Sequence, residues 1–327
     1  MSSAELPELD PALIQKTGIT PRANVPLSQL GSFQLGGPVS CLLECHEPAS
    51  LGEIRSVLHD QKQPSLLIGE GSNLLFSDEG WRGVLVRFTA GDPVPEDEGQ
   101  GKWRFAASAN LQEVVDWATL NGWAGLEAFN GIPGTLGGAV VGNAGAWGVQ
   151  MEHVLCEVHG FDTRGALKKC SVAECGFSYR NSNLKSGEFW VSEVILQLES
   201  GEKTFLENER KRILDLRKAR HPDWEKEPCI GSFFKNLEPS SAAERRQAAG
   251  FFLEQAGAKN CQVGGAGVYA GHANILVKKE KNCLAADVAK LARELQVAVK
   301  EMHGIDLERE VRYLGFIPGE KAGPGFY

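Results

Sequence analysis

The length, composition and charge of the chain limit the kind of protein it can be. Of its 327 residues, 42% are hydrophobic and 23% charged, a balance typical of globular proteins, and the length suits two or three domains. A net charge of -8 with dispersed Lys and Arg residues argues against nucleic acid as a partner. The sequence shows no secretory signal and no run of roughly 18 apolar residues. We therefore predict a soluble cytoplasmic protein without a membrane or an obligate protein partner.

The eight cysteines are spread along the chain and form no C-x-x-C pair, so we expect free thiols. The spacings of Cys41 with Cys45 and of Cys170 with Cys175 would permit a zinc site. Each pair lies in or beside an apolar stretch, however, and a closed zinc site needs four well-spaced ligands. We therefore predict no metal.

The first 200 residues are predicted to form mainly strands. Residues 1–25, with several prolines, are expected to form an N-terminal arm. β-prone runs bounded by Gly, Pro or Asp predict strands at residues 39–45, 65–68, 84–88, 103–108, 154–161 and 189–198. Helices are predicted at residues 51–59 and 111–120, the second with Asn110 as its N-cap. The stretch 91–102 is rich in Gly, Asp and Glu and predicts an exposed connection.

After residue 200 the pattern becomes mainly helical. Helices are predicted at residues 203–220, 241–256 and 287–302, the last ended by Gly304, and a strand at 274–278. The predicted domains are therefore residues 26–200, in two parts of about 26–90 and 100–200, and residues 201–318, followed by a tail of residues 319–327.

Two glycine-rich segments stand out. The first, LIGEGSNLL at residues 67–75, is an apolar strand that runs into a turn whose backbone N–H groups can face a phosphate. Leu74 stands where a Rossmann fingerprint needs its third glycine, which disfavours that fold. A tight structural turn between two strands is the alternative explanation for this segment.

The second segment reads GIPGTLGGA at residues 131–139 and continues to NAGAWG at 143–148. Such a density of glycine costs folding entropy, which favours a backbone that must approach a ligand closely. The segment lacks the Lys-Ser/Thr ending of a nucleotide P-loop. The alternative is a glycine-rich helix start packed under a neighbouring strand.

Five ordered motifs resemble those of the UDP-N-acetylenolpyruvoylglucosamine reductases. They are the two glycine-rich segments, FSYRNS at residues 177–182, GSFFKN at 231–236 and LEREV at 307–311, and the resemblance spans roughly residues 28–316. It implies an α/β (α+β) fold, with a two-part FAD-binding domain of the PCMH or vanillyl-alcohol-oxidase type and a smaller C-terminal α+β substrate domain. It also implies non-covalent FAD, with NADPH as co-substrate. The short stretch before residue 189 resembles the subgroup that lacks a long substrate-covering loop.

The resemblance also implies binding residues. Those for FAD lie in both glycine-rich segments and are Ile68, Gly69, Glu70, Gly71, Ser72, Asn73, Leu74, Gly131, Ile132, Pro133, Gly134, Thr135, Gly137, Gly138, Asn143 and Gly145. Those for the small-molecule substrate, UDP-N-acetylglucosamine enolpyruvate, are Tyr179, Arg220, Lys235, Asn236 and His272.

Three residues are implied as catalytic. Arg180 suits the substrate carboxylate, because a guanidinium binds carboxylates in a bidentate manner and stays charged. Ser232 matches the family's proton donor, and because a hydroxyl alone is a poor acid, Lys235 and Asn236 are expected to polarise that site. Glu310 matches the family's glutamate, which assists both the stabilisation of negative charge on the substrate and the transfer of the proton.

The sequence departs from the family pattern at Leu237, where proline is frequent, at Ala270 and Gly271, and at Ala107 and Ser108. Two other functions remain open. An oxidase on the same fold often links its flavin through His or Cys, and neither glycine-rich segment contains one. A catalytically inactive flavin-binding paralogue is the other alternative, against which the presence of all three catalytic residues argues.

Overall fold

A computed structural model of the chain describes residues 13, 17–89, 94–224, 226–239 and 246–316. The described residues form two compact units, each assembled from three stretches of chain. The first unit draws on Met1–Val25, Val39–Glu70 and Arg82–Leu216, and the second on Pro26–Pro38, Gly71–Trp81 and Arg217–Tyr327. The domains expected from the sequence were contiguous, with a boundary near residue 200.

The strands of the described residues are, in chain order, β1 (Arg22–Pro26), β2 (Pro38–Cys45), β3 (Ser65–Ile68), β4 (Leu74–Phe76), β5 (Trp81–Phe88), β6 (Glu96–Gly99), β7 (Lys102–Ala106), β8 (Trp123–Ala124), β9 (Gly145–Ala146), β10 (Val149–Gln150), β11 (Leu155–Phe161), β12 (Leu167–Ser171), β13 (Trp190–Gln197), β14 (Glu199–Ser200), β15 (Cys229–Ser232), β16 (Gln262–Val263), β17 (Ala266–Tyr269), β18 (His272–Lys278) and β19 (Arg312–Leu314). The α-helices are α1 (Pro48–Asp60), α2 (Leu111–Leu120), α3 (Leu136–Val141), α4 (Lys203–Lys218), α5 (Ala249–Gln255) and α6 (Ala285–His303).

The first unit contains two main sheets. One has the strand order β1-β2-β5-β3, with β3 and β5 parallel, and the other has the order β12-β11-β13-β7-β6 and is antiparallel throughout. Helix α1 begins with Pro48, whose missing N–H suits a first helical turn. Its apolar face, with Leu51, Ile54 and Leu58 fully buried, packs against β11 and β13. One continuous core therefore includes residues from both sheets.

The second unit is built on the antiparallel sheet β15-β18-β17-β16. Helix α5 packs on β18, and α6 packs on β16 and β17 through an apolar face that includes Leu291, Leu295 and Val299. Strands β4 and β19 form a separate parallel pair. The core also takes Phe33 and Leu75 from the two early stretches of chain, which explains why this unit is not contiguous.

The mixed α/β fold predicted from the sequence is confirmed, and most predicted elements are present within two residues of their expected ends. Asn110 caps α2 by accepting from Gln112 N and Glu113 N, as predicted. Gly304 ends α6 with φ +71, also as predicted. Residues 1–12, 14–16 and the tail expected at 319–327 lie outside the described residues.

Two element predictions were wrong. The helix expected at residues 241–256 comprises only Ala249–Gln255, and residues 240–245 lie outside the described range. Gln247 instead pairs with Leu237 through two backbone hydrogen bonds, which hold it extended and delay the helix. The connection expected at 91–102 is described from residue 94, and this part contains strand β6, which is exposed and pairs with β7.

Among the helices formed by described residues, none combines the length and the apolar character that a membrane crossing requires.

Candidate functional site

The start of the first glycine-rich segment lies against the second segment, within the first unit. A Cβ at Gly69 would lie 2.3 Å from Thr135 Oγ1, so only glycine permits this approach. Next to it, the Glu70 carboxylate accepts a hydrogen bond from Asn110 Nδ2 at 2.9 Å. The structure thus brings Gly69 and Glu70 together with Thr135, as a shared ligand would require. Of the other predicted residues here, Ile68 ends β3, Ser72 is half-buried and Leu74 begins β4.

From Gly71 onward the first segment belongs to the second unit. Gly71 has φ +62, and a Cβ there would lie 2.6 Å from the Leu30 carbonyl oxygen, so both conformation and packing require glycine. The Asn73 side chain donates to the Glu310 carbonyl at 3.3 Å. Asn73, expected to contact FAD, therefore also holds the backbone of a predicted catalytic residue.

The second glycine-rich segment is tied to the chain around helix α2. Gly131 and Gly134 have φ values of +78 and +118, which glycine adopts without a steric cost. The Gly134 carbonyl accepts from Leu111 N at 2.9 Å, and Leu136 N donates to the Ala109 carbonyl at 2.8 Å. These bonds fix the path of the loop before helix α3 begins.

The two glycines inside α3 serve different purposes. A Cβ at Gly137 would lie 2.8 Å from the Ala107 Cβ, so packing alone requires glycine there. Gly138 is exposed, and a Cβ there would meet only Thr135 Oγ1, at 3.2 Å. That hydroxyl caps the helix by accepting from Gly138 N. The fold itself therefore makes little demand for glycine at position 138.

A polar network that the sequence analysis missed fixes the start of this loop. Gln112 Oε1 accepts from Gly131 N at 2.7 Å, and Gln112 Nε2 donates to Asn130 Oδ1 at 2.7 Å. Asn130 is 2% exposed and donates to the Arg210 carbonyl at 2.8 Å, while the Arg210 guanidinium pairs with Asp116. Helices α2 and α4 therefore jointly position the loop. The one hint in the sequence was a polar residue directly before the first glycine.

In the 131–135 loop, the backbone N–H groups available to a ligand are those of the last two residues. The Gly131 N–H is held by Gln112, the Ile132 N–H donates to the Phe129 carbonyl at 3.0 Å, and Pro133 has no N–H. By contrast, the N–H groups of Gly134 and Thr135 have no acceptor among the residues that the structure describes. These two groups can donate to an anionic ligand.

Asn143 and Gly145 serve the fold through their own contacts. The Asn143 side chain is fully buried and donates to Glu152 Oε1 at 2.9 Å and to the Ser178 carbonyl at 3.0 Å. A Cβ at Gly145 would lie 2.5 Å from the Val149 carbonyl oxygen across the β9–β10 hairpin. Any contact of Asn143 with a flavin therefore has to come from its backbone.

The predicted catalytic Arg180 lies in a tight turn of the first unit. Ser178 and Asn181 close this turn with two backbone hydrogen bonds of 3.0 Å, and Arg180 has φ +55. Its Nη2 donates to the Gly145 carbonyl at 2.6 Å, and the guanidinium carbon lies 5.3 Å from the centre of the Tyr179 ring. The structure thus joins Tyr179 and Arg180 to the second glycine-rich segment.

Ser232, the predicted proton donor, lies at the end of β15 in the second unit. A register shift between Cys229 and Ser232 interrupts the pairing with β18, and bulges of this kind redirect a side chain. Asn274, missed by the sequence analysis, fixes the next two residues. It is 2% exposed, its carbonyl accepts from Phe233 N at 2.8 Å, and its side chain makes two hydrogen bonds to the Phe234 backbone.

Glu310 lies beside the residue that follows Ser232, because the Glu310 N–H donates to the Phe233 carbonyl at 2.9 Å. The expected helpers of Ser232 have other partners. Lys235 Nζ lies 2.5 Å from Glu308 Oε1, and Asn236 Oδ1 accepts from the first residue of α5 at 3.2 Å. The Lys235 side chain is therefore engaged by a carboxylate, and the Asn236 side chain by a backbone N–H.

The predicted substrate contact His272 lies beside a second histidine and near the cationic side chains of Lys259 and Arg220 in the second unit. Its ring lies 5.8 Å from that of His221, and its Nδ1 accepts from Asn274 N at 3.2 Å. Burial, with smaller contributions from Lys259 and Arg220, lowers the pKa of His272. Burial, followed by nearby cations, lowers the pKa of His221 to about 4. Both rings are therefore neutral at pH 7, next to the exposed Arg220.

The eight cysteines are free, as predicted. Cys170 and Cys175 have sulfur atoms 3.6 Å apart, and burial raises the pKa of Cys175 to about 12. Within the described part of the chain, no group of three or more His, Cys, Asp or Glu side chains could hold a metal ion.

Comparison with known proteins agrees with these arrangements. Residues 39–171 match the sequence model of the FAD binding domain, and residues 222–314 match that of the C-terminal domain of UDP-N-acetylenolpyruvoylglucosamine reductase. The chain is 34% identical to the UDP-N-acetylenolpyruvoylglucosamine reductase of Solibacter usitatus, over 90% of this chain and 96% of that protein. It is 33% identical to the reductase of Bacillus subtilis, over 90% of this chain and 93% of that protein.

A crystal structure of the UDP-N-acetylenolpyruvylglucosamine reductase of Thermus caldophilus has a similar fold. The TM-score is 0.74 at 28% identity, covering 90% of this chain and 98% of that one. The chain belongs to the UDP-N-acetylenolpyruvoylglucosamine reductase family. The family resemblance and the fold class drawn from the motifs are confirmed. The short-loop subgroup stays a prediction.

The residues of the first unit fit the FAD that this family's N-terminal domain binds. Gly69 allows the two glycine-rich segments to meet, and Gly138 offers an exposed glycine surface. The N–H groups of Gly134 and Thr135 supply donors for phosphate oxygens. The assignment of individual residues to the flavin remains a prediction.

Proposed function

We propose that this protein reduces the enolpyruvyl group of UDP-N-acetylglucosamine enolpyruvate to give UDP-N-acetylmuramate, a reaction of peptidoglycan precursor synthesis, with NADPH as co-substrate. The observation that carries the proposal is the position of Arg180. Its guanidinium donates to the carbonyl of Gly145 in the second glycine-rich segment, so a permanent positive charge lies beside the expected flavin site. When bound there, FAD supplies the hydride, which it receives from NADPH.

Arg180 has the charge needed for the first stage of this reaction. Hydride addition to the terminal carbon of the enol ether shifts the electron pair of the double bond onto the carbon that bears the carboxylate. The negative charge then spreads into that carboxylate. A guanidinium that binds both carboxylate oxygens stabilises this charge more than it stabilises the starting substrate.

Ser232 has the role of giving a proton to the carbon that gained the electron pair. Ser232 ends β15, and the backbone of the next two residues, Phe233 and Phe234, is held by hydrogen bonds to Asn274. The proton returns to the serine from solvent after the product leaves. Glu310 assists this transfer, and its backbone is held at the N–H by the Phe233 carbonyl and at the carbonyl by Asn73. Arg180 belongs to the first unit, and Ser232 and Glu310 belong to the second.

Arg220 is proposed to bind the substrate's negatively charged diphosphate. The other proposed substrate contacts are Tyr179, Lys235, Asn236 and His272. No obligate protein partner is proposed. A cytoplasmic location accompanies this function, and eight free cysteines suit a reducing compartment.

Replacing Ser232 by alanine tests the proposal. We expect Ser232→Ala to keep its FAD and to be reduced by NADPH at the normal rate, because that step needs no acid at this position. Oxidation of the reduced protein by the enolpyruvyl substrate should slow by roughly 100-fold or more, the contribution of a positioned general acid. Stopped-flow absorbance at flavin wavelengths separates the two half-reactions.

Ser232→Cys should recover part of the lost rate, because a thiol is a stronger acid of similar shape. Ser200→Ala, at an exposed serine of β14, serves as the control and should change neither half-reaction. A Ser232→Ala protein that is reoxidised at the wild-type rate would remove Ser232 from the mechanism. Failure of the unaltered protein to oxidise NADPH with this substrate would reject the proposed function itself.

A further inference from the structure

The turn that carries Arg180 holds a side chain in a conformation that turns usually reserve for glycine or asparagine. Arg180 is the third residue of the turn between Ser178 and Asn181, and it has φ +55. Left-handed φ at this turn position disfavours long side chains. Such strain persists only where the surroundings enforce it, and it clusters at functional sites.

The left-handed conformation determines where the guanidinium lies. From it, Nη2 reaches the Gly145 carbonyl at 2.6 Å and Nη1 lies 3.4 Å from the Asn143 carbonyl. Both carbonyls belong to the second glycine-rich segment. A right-handed backbone at this residue would direct the side chain elsewhere, so the charge would leave the segment.

One side chain holds the Arg180 backbone from the other side. Lys185 Nζ donates to the Arg180 carbonyl at 2.5 Å. Lys185 lies on a 3-10 turn, Asn183–Ser186, which is anchored in the core by Leu184 at 4% exposure. The backbone from which the Lys185 side chain extends is therefore anchored. A charged donor on this carbonyl resists rotation of the peptide plane that follows Arg180, and this plane sets the second backbone angle of that residue.

We propose that Lys185 is a positioning residue that holds Arg180 in its left-handed conformation and so keeps the guanidinium in place for the substrate's carboxylate. The inference rests on the function proposed above. Lys185 acts through the Arg180 backbone and needs no contact with the substrate. Its loss should therefore harm only ligands whose binding uses the Arg180 charge.

Two ligands test this on the FAD-loaded, oxidised protein by calorimetric titration. UDP-N-acetylglucosamine enolpyruvate carries the carboxylate, whereas UDP-N-acetylglucosamine lacks it and reports on the rest of the site. Lys185→Met should weaken binding of the first about tenfold or more, since a small displacement of a positioning group has effects of this size. Binding of the second and the FAD content should not change. Lys185→Arg, which keeps a charged donor, should restore most of the lost affinity.

A double-mutant cycle separates positioning from a general structural role. In an Arg180→Ala background, Lys185→Met should cause no further loss of affinity, because no guanidinium remains to be positioned. Lys168→Met, at an exposed lysine of β12, is the matched control and should leave both affinities unchanged. If Lys185→Met does not fold, Lys185→Gln is used, with FAD content and thermal unfolding as checks.

Two results would overturn the inference: unchanged affinity for the enolpyruvyl substrate in Lys185→Met, or an equal loss in the Arg180→Ala background. An unaltered protein that binds both ligands equally would overturn the proposed function, and this inference with it. A difference between the ligands that is as large in Lys185→Met as in the unaltered protein would leave the proposed function intact and show that Lys185 does not position Arg180.

Discussion

At the scale of single residues, three of the side chains that the described residues hold at positive φ lie near the proposed chemistry. Asn143, Trp147 and Arg180 all carry side chains at positive φ, within the second glycine-rich segment or bonded to it. Each such conformation costs roughly 1 to 3 kcal/mol and requires compensation from its surroundings. The buried hydrogen bonds of Asn143 and the contacts of Arg180 provide that compensation. The strain therefore accompanies a fixed geometry rather than a flexible loop.

Gly138 offers a clean residue-scale test of the flavin site. A Cβ there would meet one side-chain atom, Thr135 Oγ1 at 3.2 Å, a tight contact that a small shift relieves, so Gly138→Val should still fold as the apoprotein. If FAD lies against this surface, the valine should raise the FAD dissociation constant at least about tenfold by blocking the approach. Flavin absorbance during titration measures the binding, and circular dichroism measures the unfolding.

Gly142→Val, at the other end of α3, is the control for that variant and should bind FAD normally. Gly134→Val is less informative, because φ +118 strains any side chain and the fold itself would suffer. Normal flavin content in Gly138→Val would show that the flavin surface has been assigned to the wrong place.

At the scale of elements, the sequence predicted those helices and strands whose apolar residues recur at a regular spacing or whose ends carry a capping residue. Helix α2 lies at its predicted residues because its apolar positions recur at helical spacing and Asn110 caps it. Short strands such as β9 and β16 have only two residues, too few to show alternation, and were missed. The networks of Asn130 and Asn274 were missed for another reason. Their partners lie 80 and 40 residues away, and no local pattern encodes such a pairing.

In the candidate site, too, local motifs could be predicted from the sequence and contacts between distant residues could not. The glycine-rich segments and Arg180, Ser232 and Glu310 could be selected through motifs. Which N–H groups of the loop are free could not, because that depends on Gln112 reaching Gly131 from another element.

The network that joins α2 and α4 to the loop gives an element-scale prediction. Gln112→Met has similar length but leaves the Gly131 N–H and the side-chain oxygen Oδ1 of Asn130 without their Gln112 partner. The free energy of unfolding should fall by about 1 to 3 kcal/mol, the cost of unsatisfied buried polar groups. FAD affinity should fall by roughly tenfold, because the loop start is no longer held.

Denaturant unfolding and flavin titration measure these two effects. Asn121→Ala, at an exposed residue at the end of α2 that bonds only its own helix backbone, provides the comparison. FAD affinity equal to wild type in Gln112→Met would mean that the network stabilises the fold without shaping the flavin loop.

At the scale of the whole molecule, the bound cofactor should contribute to stability. We expect the protein to purify yellow and to release its flavin on denaturation, since neither glycine-rich segment contains the His or Cys of a covalent link. Removing FAD should lower the melting temperature. Returning it at 100 times its dissociation constant should restore about 2.7 kcal/mol of stability by mass action.

Thermal unfolding with and without added FAD measures this effect, with FMN as the control ligand that lacks the adenylate half. A colourless protein whose melting temperature does not respond to FAD would contradict the prediction. Flavin that stays with the denatured chain would instead indicate a covalent link.

The second unit consists of three separate stretches of chain, so it cannot be completed during synthesis on a ribosome until the last stretch has been made. Strand β4 pairs with β19, so Leu75 finds its partner Tyr313 only after roughly 240 further residues have been made. At about 5 to 20 residues per second, β4 waits on the order of 10 to 50 s. Throughout that interval Phe33 and Leu75 leave the ribosome without the core that finally covers them. The nascent chain thus exposes apolar side chains for chaperones to bind until the last strand is complete.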